Sequence, residues 1–163
     1  MAKILIVDDD RLMVKMYQGK FEDDGYEVVT ANDGEQGLAK ALELKPDLIL
    51  LDVMMPKMNG FEMLKGLKNN QQTKNTPVIL LTNVGEENAN QGLDLGAVAY
   101  LVKAHYDVKD IVKKVKEILN AYIHELPKVE VEILSLEEEK DSKPKKKAQE
   151  ELLKAQKKLA AVT

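Results

Sequence analysis

The chain has 163 residues, no cysteine, two histidines and a formal net charge of −4. The length allows one ordinary domain with an extension. The absence of cysteine excludes disulfides, thiolate metal sites and cysteine nucleophiles, and the negative charge argues against a nucleic-acid surface spread over the whole protein. Apolar runs fall well short of the ~18 residues of a membrane span, and the acidic start differs from a signal peptide, so we expect a cytoplasmic protein.

The first predicted strand ends in a run of acidic residues. Residues 3–7 are apolar and typical of a buried strand, and Asp8, Asp9 and Asp10 follow. Asp10 suits the N-cap of a helix predicted at 11–24. Capping does not account for Asp8 and Asp9, whose adjacent charges repel each other. A bound hard cation such as Mg2+, which takes oxygen ligands, would account for both.

Four more strand–helix units follow along the chain. The predicted strands lie at 26–30, 48–51, 78–81 and 98–102, and the predicted helices at 35–44, 60–70, 88–95 and 107–125. This alternation predicts an α/β fold, a doubly wound five-stranded parallel sheet with five helices on its two faces. Such sheets commonly have the strand order 2-1-3-4-5, with the ligand site between strands 1 and 3.

Polar residues stand at the carboxyl ends of the later strands. Asp52, Thr82 and Lys103 each directly follow an apolar run, so we expect them to share one edge of the sheet with Asp8 and Asp9. A carboxylate can act as a nucleophile and form an aspartyl phosphate, and phosphoryl transfer depends mainly on positioning and charge neutralisation. A cation on the two adjacent aspartates, the lysine ammonium and the threonine hydroxyl could hold the three oxygens of a phosphoryl group on Asp52.

Four motifs together resemble the receiver domain of two-component response regulators, which has the CheY-like fold. They are Ile-Val-Asp-Asp at 6–9, Leu-Asp-Val-Met-Met-Pro-Lys-Met-Asn-Gly at 51–60, Leu-Thr at 81–82 and Tyr-Leu-Val-Lys at 100–103. The resemblance covers residues 3–122 in the expected order and spacing. It predicts a receiver domain over residues 1–125, either alone or with a short tail.

The resemblance also implies a chemistry. Asp52 would accept a phosphoryl group from a sensor histidine kinase or a phosphotransfer protein. Mg2+ would be held by Asp9, Asp52 and the backbone carbonyl of Met54, with Asp8 acting through water. Only self-phosphorylation and self-dephosphorylation are expected, so the protein is interpreted as a signalling phosphoacceptor and not as an enzyme.

The family further implies a conformational switch and a partner. Thr82 would move toward the phosphoryl group, and Tyr100 would turn inward to fill the vacated space. The face around the helices after strands 4 and 5 would then dock onto an unknown downstream protein or pass phosphate along a relay. We expect neither direct DNA binding nor membrane association, and a homodimer through the C-terminal face or the tail is left open.

Two departures from the family pattern concern the loops around the site. Ala104 replaces the proline that usually follows Lys103, so either a strained cis bond is held here or the bond is trans and the lysine is placed differently. Asn83 stands where the family usually has a small residue, and the Asn83 side chain could partly cover the phosphoryl site.

Two further departures concern dephosphorylation and dimerisation. Met54 and Val84, expected to flank the attacking water, are both apolar, which predicts slow self-dephosphorylation. Val98 and Ala99 replace the acidic pair that one large subfamily of DNA-binding regulators uses in its dimer, so that dimer is not expected.

Three other classes of protein are alternatives to the receiver interpretation. A flavin binder would share the sheet, but Asp8, Asp9 and Asp10 would repel the flavin phosphate. A phosphatase of the haloacid dehalogenase type would need a general acid where Met54 stands. A pseudo-receiver, which binds partners without being phosphorylated, stays the alternative because of Ala104.

The last part of the chain, residues 126–163, reads as a tail without a recognised output domain. Residues 129–133 carry a weak strand signal, 137–141 are acidic and 143–147 are basic, which indicates a solvated linker. Small and apolar residues then recur at coiled-coil spacing over 148–162, which predicts a short amphipathic helix that pairs with another surface or forms only in part.

Overall fold

The computed structural model of the chain describes residues 2–83 and 85–123. The strands in these ranges are β1 (Lys3–Val7), β2 (Glu27–Ala31), β3 (Leu48–Leu51), β4 (Val78–Thr82) and β5 (Ala99–Val102). The helices are α1 (Arg11–Asp23), α2 (Gly34–Leu44), α3 (Gly60–Lys68), α4 (Ala89–Asp94) and α5 (Val108–Ile123). The expectations for Val84, for the linker and for the amphipathic helix of the tail lie outside the described residues.

The five strands form one parallel sheet in the order β2-β1-β3-β4-β5. The predicted doubly wound fold and strand order are therefore confirmed. Val7 pairs with Leu51 across β1 and β3, and Thr82 pairs with Val102 across β4 and β5. This register brings the carboxyl ends of four strands to the same edge of the sheet.

Apolar side chains cover both faces of the sheet, which explains why its strands read as continuous apolar runs. Along β1, Ile4 and Ile6 pack in one core with α1 and α5, whereas Leu5 and Val7 pack in a second core with α2, α3 and α4. All four residues of β3 are buried. The central strands are thus held from both sides, and the residues that follow them have a rigid base.

Polar side chains fix where three of the helices begin. Asp10 and Asp33 each accept a hydrogen bond from a backbone N–H three residues further on, at 3.2 and 2.8 Å, and so cap α1 and α2. Asn59 and Glu62 form a reciprocal capping box at the start of α3. The prediction that Asp10 is the N-cap of the first helix is confirmed.

The clearest difference from the predicted elements lies around α4. A 3-10 turn at Glu86–Asn88 occupies part of the region predicted as a loop and helix start, and the α-helix that follows has six residues. Asn88 precedes this helix without a side-chain capping hydrogen bond, so the helix lacks a polar start signal. A second 3-10 turn, at Lys103–His105, was not predicted. Within the described residues, the other boundaries coincide with the prediction or differ by one or two residues.

Gly60 provides a test of how closely the β3–α3 loop is packed. A Cβ atom at this position would contact the Asp52 carbonyl oxygen and lie 2.8 Å from the Val53 Cα atom. Both are backbone atoms, which cannot rotate away as a side chain can. We expect Gly60→Ala to lower the free energy of unfolding, measured by urea denaturation, by about 1–3 kcal/mol.

Gly19 supplies the matched control for this substitution. It lies within α1, and a Cβ atom there would meet nothing within 4 Å. Gly19→Ala should therefore stabilise the protein by roughly 0.5–1 kcal/mol, the ordinary gain of alanine over glycine in a helix. Equal effects of the two substitutions would contradict the packing at Gly60.

Candidate functional site

The five polar residues predicted to meet at one edge of the sheet do meet there. Carboxylate oxygens of Asp8, Asp9 and Asp52 all lie within 4.8 Å of one another. The Lys103 ammonium lies 2.7 Å from Asp8 Oδ2 and 3.8 Å from Asp52 Oδ2. The Thr82 hydroxyl donates a hydrogen bond to the Asp52 carboxylate. Three acids, one hydroxyl and one ammonium thus share a single small pocket.

Asp52 is the residue of this group that follows the central strand β3. Its backbone N–H donates to the Val7 carbonyl at 2.9 Å, which continues the sheet ladder past the strand. Its side chain is only 7% exposed, and the backbone N–H of Met54 points to Oδ1 at 3.4 Å. The carboxylate therefore has a fixed position, with only a small part of its surface open to solvent.

Burial and the neighbouring Asp8 charge together raise the pKa of Asp52 from 3.8 to about 6. Lys103, the Thr82 hydroxyl and the Met54 N–H act in the opposite direction because they stabilise the charged form. Burial and the Asp8 charge outweigh these three contacts, so the net pKa of Asp52 is raised. Asp52 is nevertheless mostly ionised above neutral pH, which a nucleophilic carboxylate requires.

Asp8 and Lys103 form an ion pair that the sequence did not predict. Their side chains are 4% and 9% exposed. Asp8 Oδ1 also accepts a hydrogen bond from the Asp10 N–H at 2.9 Å. The resemblance implies instead that Asp8 acts toward a cation through water and that Lys103 acts toward a phosphoryl group. Sequence alone does not say which carboxylate the ammonium selects.

The donor set fits a divalent cation. Three carboxylates converge, two of them buried and that of Asp9 exposed, and carboxylate oxygens are ligands that Mg2+ prefers. Asp8, Asp9 and Asp52 could hold such an ion. The Met54 side chain is exposed at the rim of the site. The role of the Met54 backbone carbonyl as a metal ligand stays a prediction.

The loop after β5 resolves the question raised by Ala104. All peptide bonds of the described residues are trans, so the strained cis alternative is wrong. The trans loop nevertheless leaves the Lys103 ammonium 2.7 Å from Asp8 Oδ2 and 3.8 Å from Asp52 Oδ2, and a 3-10 turn at Lys103–His105 begins at the lysine. Asn83, the other unusual loop residue, is exposed next to Thr82.

Tyr100 lies inside the protein. Its side chain is fully buried in the core beneath α4, and its hydroxyl donates to the Gly85 carbonyl at 3.1 Å. The tyrosine predicted to turn inward thus already occupies an inward position in this structure. The coupled movement with Thr82 stays a prediction.

The sequence did not single out Tyr17, which also lines the pocket. It lies on α1, is fully buried and stands next to Asp8 and Asp52. Its place in the apolar stripe of α1 predicts burial of the ring. No sequence signal shows that the hydroxyl would face the acidic pocket.

Comparison with known proteins identifies the class of this domain. A family profile described as the response regulator receiver domain matches residues 4–116. The chain therefore belongs to the response regulator receiver family. Receiver domains of this family are phosphoacceptors of two-component systems and bind a divalent metal ion. Among the described residues, none of the helices has the length and apolar character that crossing a bilayer requires.

Particular relatives include transcriptional regulators and chemotaxis proteins. The alkaline phosphatase synthesis transcriptional regulatory protein PhoP of Bacillus subtilis (strain 168) is 45% identical over 118 residues, which cover 72% of this chain and 48% of PhoP. The chain thus spans about half the length of this curated relative and of similar ones.

Among the solved structures that share the fold are two response regulators. The chemotaxis response regulator CheY4 of Vibrio cholerae is 39% identical, with a TM-score of 0.67 and coverage of 72% of this chain and 98% of CheY4. The Mn2+-bound response regulator Rcp1 is 28% identical, with a TM-score of 0.64 and coverage of 78% and 98%.

The raised pKa of Asp52 predicts how stability changes with pH in the absence of divalent metal. The folded protein binds the Asp52 proton more tightly than the unfolded chain does, so protonation of Asp52 stabilises the folded state. This contribution to stability is fully present below pH 3.8 and is lost as the pH rises through about 6. Asp52→Asn removes the charge. The variant should exceed the wild type in unfolding free energy by roughly 1–2 kcal/mol at pH 7.5 and by much less near pH 4.

Urea denaturation at the two pH values measures this difference. Asp23→Asn is the control, because Asp23 is an exposed carboxylate at the opposite end of α1. A gap between Asp52→Asn and wild type that stays constant with pH would contradict the raised pKa.

Proposed function

We propose that this domain accepts a phosphoryl group on Asp52 from a phosphohistidine of a sensor kinase or phosphotransfer protein. The observation that carries the proposal is the convergence on buried Asp52 of a lysine ammonium, a threonine hydroxyl and two further carboxylates. The ammonium and the hydroxyl can bind phosphoryl oxygens, and the carboxylates can hold a cation that offsets the negative charge of the phosphoryl group. The proposed phosphoryl transfer therefore depends on how these side chains are placed at the edge of the sheet.

The transfer exchanges one bond to phosphorus for another. An Asp52 carboxylate oxygen forms the new O–P bond while the P–N bond to the donor imidazole breaks. The electron pair of that bond leaves with the imidazole nitrogen, which takes a proton from solvent. The peptide N–H that bonds Asp52 to Val7 fixes the backbone that carries the attacking carboxylate, so little positional freedom is lost during the reaction.

Lys103 and Thr82 would bind the phosphoryl oxygens. The ammonium already lies 3.8 Å from Asp52 Oδ2, so a modest rotation of a flexible side chain brings it to a group attached there. The threonine hydroxyl, now a donor to the carboxylate, can donate to a phosphoryl oxygen instead. Lys103 thereby leaves Asp8 and Thr82 leaves the carboxylate, so both contacts of the resting site change on phosphorylation.

We further propose that the metal is Mg2+, held by Asp8, Asp9 and Asp52 with the Met54 carbonyl. When bound, it supplies positive charge to a phosphoryl oxygen and offsets the repulsion among the carboxylates. The convergence of three carboxylates supports this assignment. The Mn2+-bound Rcp1 shows that a related receiver takes a divalent ion.

The output of the domain would be a protein interaction governed by Thr82 and Tyr100. Tyr100 belongs to β5 and bonds to Gly85, which precedes α4. A shift of Thr82 toward the phosphoryl group would therefore be transmitted to the surface formed by α4, β5 and α5. The proposed partner is a downstream protein that reads this surface; a non-enzymatic output, the absence of DNA binding and a cytoplasmic location stay predictions.

A pseudo-receiver is the second candidate, and one observation favours it. Lys103 lies closer to Asp8 than to Asp52, so the resting pocket is already neutralised in part without a phosphoryl group. The two candidates differ in a single measurable respect, which is whether Asp52 becomes phosphorylated.

Incubation with acetyl phosphate, followed by intact-mass measurement, tests the proposal. The wild type should gain one phosphoryl group in the presence of Mg2+ and much less without it, because the repulsion in the pocket is then uncompensated. Asp52→Asn should gain none, whereas Asp23→Asn, with an exposed carboxylate far from the pocket, should behave as the wild type. No gain in the wild type would favour the pseudo-receiver.

The apolar character of Met54 and Val84 predicts slow loss of the phosphoryl group. Met54 is exposed at the rim, and neither it nor Val84 can orient an attacking water molecule through a hydrogen bond. We expect the phosphorylated wild type to have a half-life of minutes or longer, as measured by the release of inorganic phosphate. The half-life of phosphorylated Met54→Asn should be severalfold shorter. Met16→Asn, a change at an exposed methionine of α1, is the control. A wild-type half-life of seconds would refute this expectation.

A further inference from the structure

The hydroxyl of Tyr17 is a buried polar group that the proposed chemistry does not yet use. The Tyr17 side chain is fully buried on the sheet-facing side of α1. Its hydroxyl has no hydrogen-bond partner among the described residues. Buried hydroxyls are normally paired, and an unpaired one calls for an explanation.

The surroundings of this hydroxyl are acidic. Tyr17, Asp8 and Asp52 line the same pocket, closed below by apolar side chains of the central strands, and the pocket has no room for a water molecule. Burial, and then the negative charges of Asp8, Asp10 and Asp52, raise the pKa of Tyr17. The hydroxyl therefore keeps its proton at every pH relevant to the protein and is available as a hydrogen-bond donor near these carboxylates.

Phosphorylation creates a need for such a donor. Asp8 is 3% exposed, and its Oδ2 atom is held by the Lys103 ammonium at 2.7 Å. If Lys103 turns to a phosphoryl oxygen on Asp52, this buried oxygen loses that partner. A buried carboxylate oxygen without a partner is strongly destabilising, and the Tyr17 hydroxyl is an unused donor in the same pocket.

We propose that Tyr17 is a positioning residue of the phosphorylated state, in which its hydroxyl replaces the Lys103 ammonium as the hydrogen-bond donor to Asp8. The inference rests on the proposed function, because it is the phosphoryl group that draws the lysine away. Tyr17 acts through Asp8: it keeps that carboxylate oriented beside Asp9 and frees Lys103 to remain on the phosphoryl group. In the resting protein the same hydroxyl contributes no bond.

Tyr17→Phe tests this role because it removes the hydroxyl and keeps the ring. The probe is beryllofluoride with Mg2+, a mimic of an aspartyl phosphate, titrated onto the full chain and followed by fluorine NMR. We expect the apparent dissociation constant of beryllofluoride to rise about tenfold in Tyr17→Phe, the size of effect expected for loss of a hydrogen bond to a charged group. Without beryllofluoride, the thermal midpoint should equal or exceed that of the wild type, because an unpaired buried hydroxyl has been removed.

Tyr26→Phe is the matched control. Tyr26 packs edge-on against Phe21, before the start of β2 and thus at the opposite end of the sheet from the pocket. This variant should bind beryllofluoride as the wild type does. In the wild type, the Tyr17 hydroxyl proton should also shift downfield in the NMR spectrum when beryllofluoride binds, a signature that does not depend on the variant folding.

The outcomes separate this inference from the function beneath it. Unchanged beryllofluoride affinity in Tyr17→Phe, with normal binding by the wild type, would overturn the role of Tyr17 alone. Loss of affinity together with a lowered thermal midpoint in the unliganded variant, and no shift of the wild-type hydroxyl proton, would show that Tyr17 only supports the fold. Failure of the wild type to bind beryllofluoride would overturn the proposed function, and this inference with it.

Discussion

Two carboxylates face each other at the ends of adjacent strands, and the sheet does not allow them to move apart. Asp8 and Asp52 follow β1 and β3, whose last residues pair directly, and both residues are at most 6% exposed. Water therefore screens their repulsion poorly, and the pKa of Asp52 rises. The contacts of Lys103, Thr82 and the Met54 N–H are compensations for this arrangement. The pocket is held together by a balance of charges as much as by packing.

Such a balance is sensitive to any charge that enters or leaves. A cation on the acidic side relieves the repulsion, whereas a phosphoryl group on Asp52 attracts the ammonium that now neutralises Asp8. The surrounding cores on the two faces of the sheet consist mainly of apolar side chains, which carry no charge that could respond in this way. Change is therefore confined to a few polar contacts at the sheet edge and to the elements attached to them, chiefly β4, β5 and the short α4.

Much of the fold could be predicted from the sequence, because buried parallel strands leave an unmistakable pattern. Residues 48–51 are all apolar and all buried, and the polar residue that ends each run marks the functional edge. The α4 region was less predictable, because a six-residue helix without a capping side chain carries little periodic signal.

The residues of the site could be predicted, but several of their contacts could not. The Lys103–Asp8 pair depends on side-chain rotamers and on which of two neighbouring carboxylates is nearer, neither of which sequence spacing encodes. The same holds for the Tyr17 hydroxyl, since helical periodicity predicts that the ring is buried and says nothing about the atom at its tip.

The contact between Asp8 and Lys103 also bears on how the domain is assembled. Its two residues are 95 positions apart, so the aspartate that follows β1 meets its counter-charge only when β5 has docked. Until then, pairing of β1 with β3 brings Asp8 and Asp52 together without the neutralising ammonium. During synthesis on the ribosome, we expect the amino-terminal half of the sheet to stay loosely formed until β5 emerges and completes it.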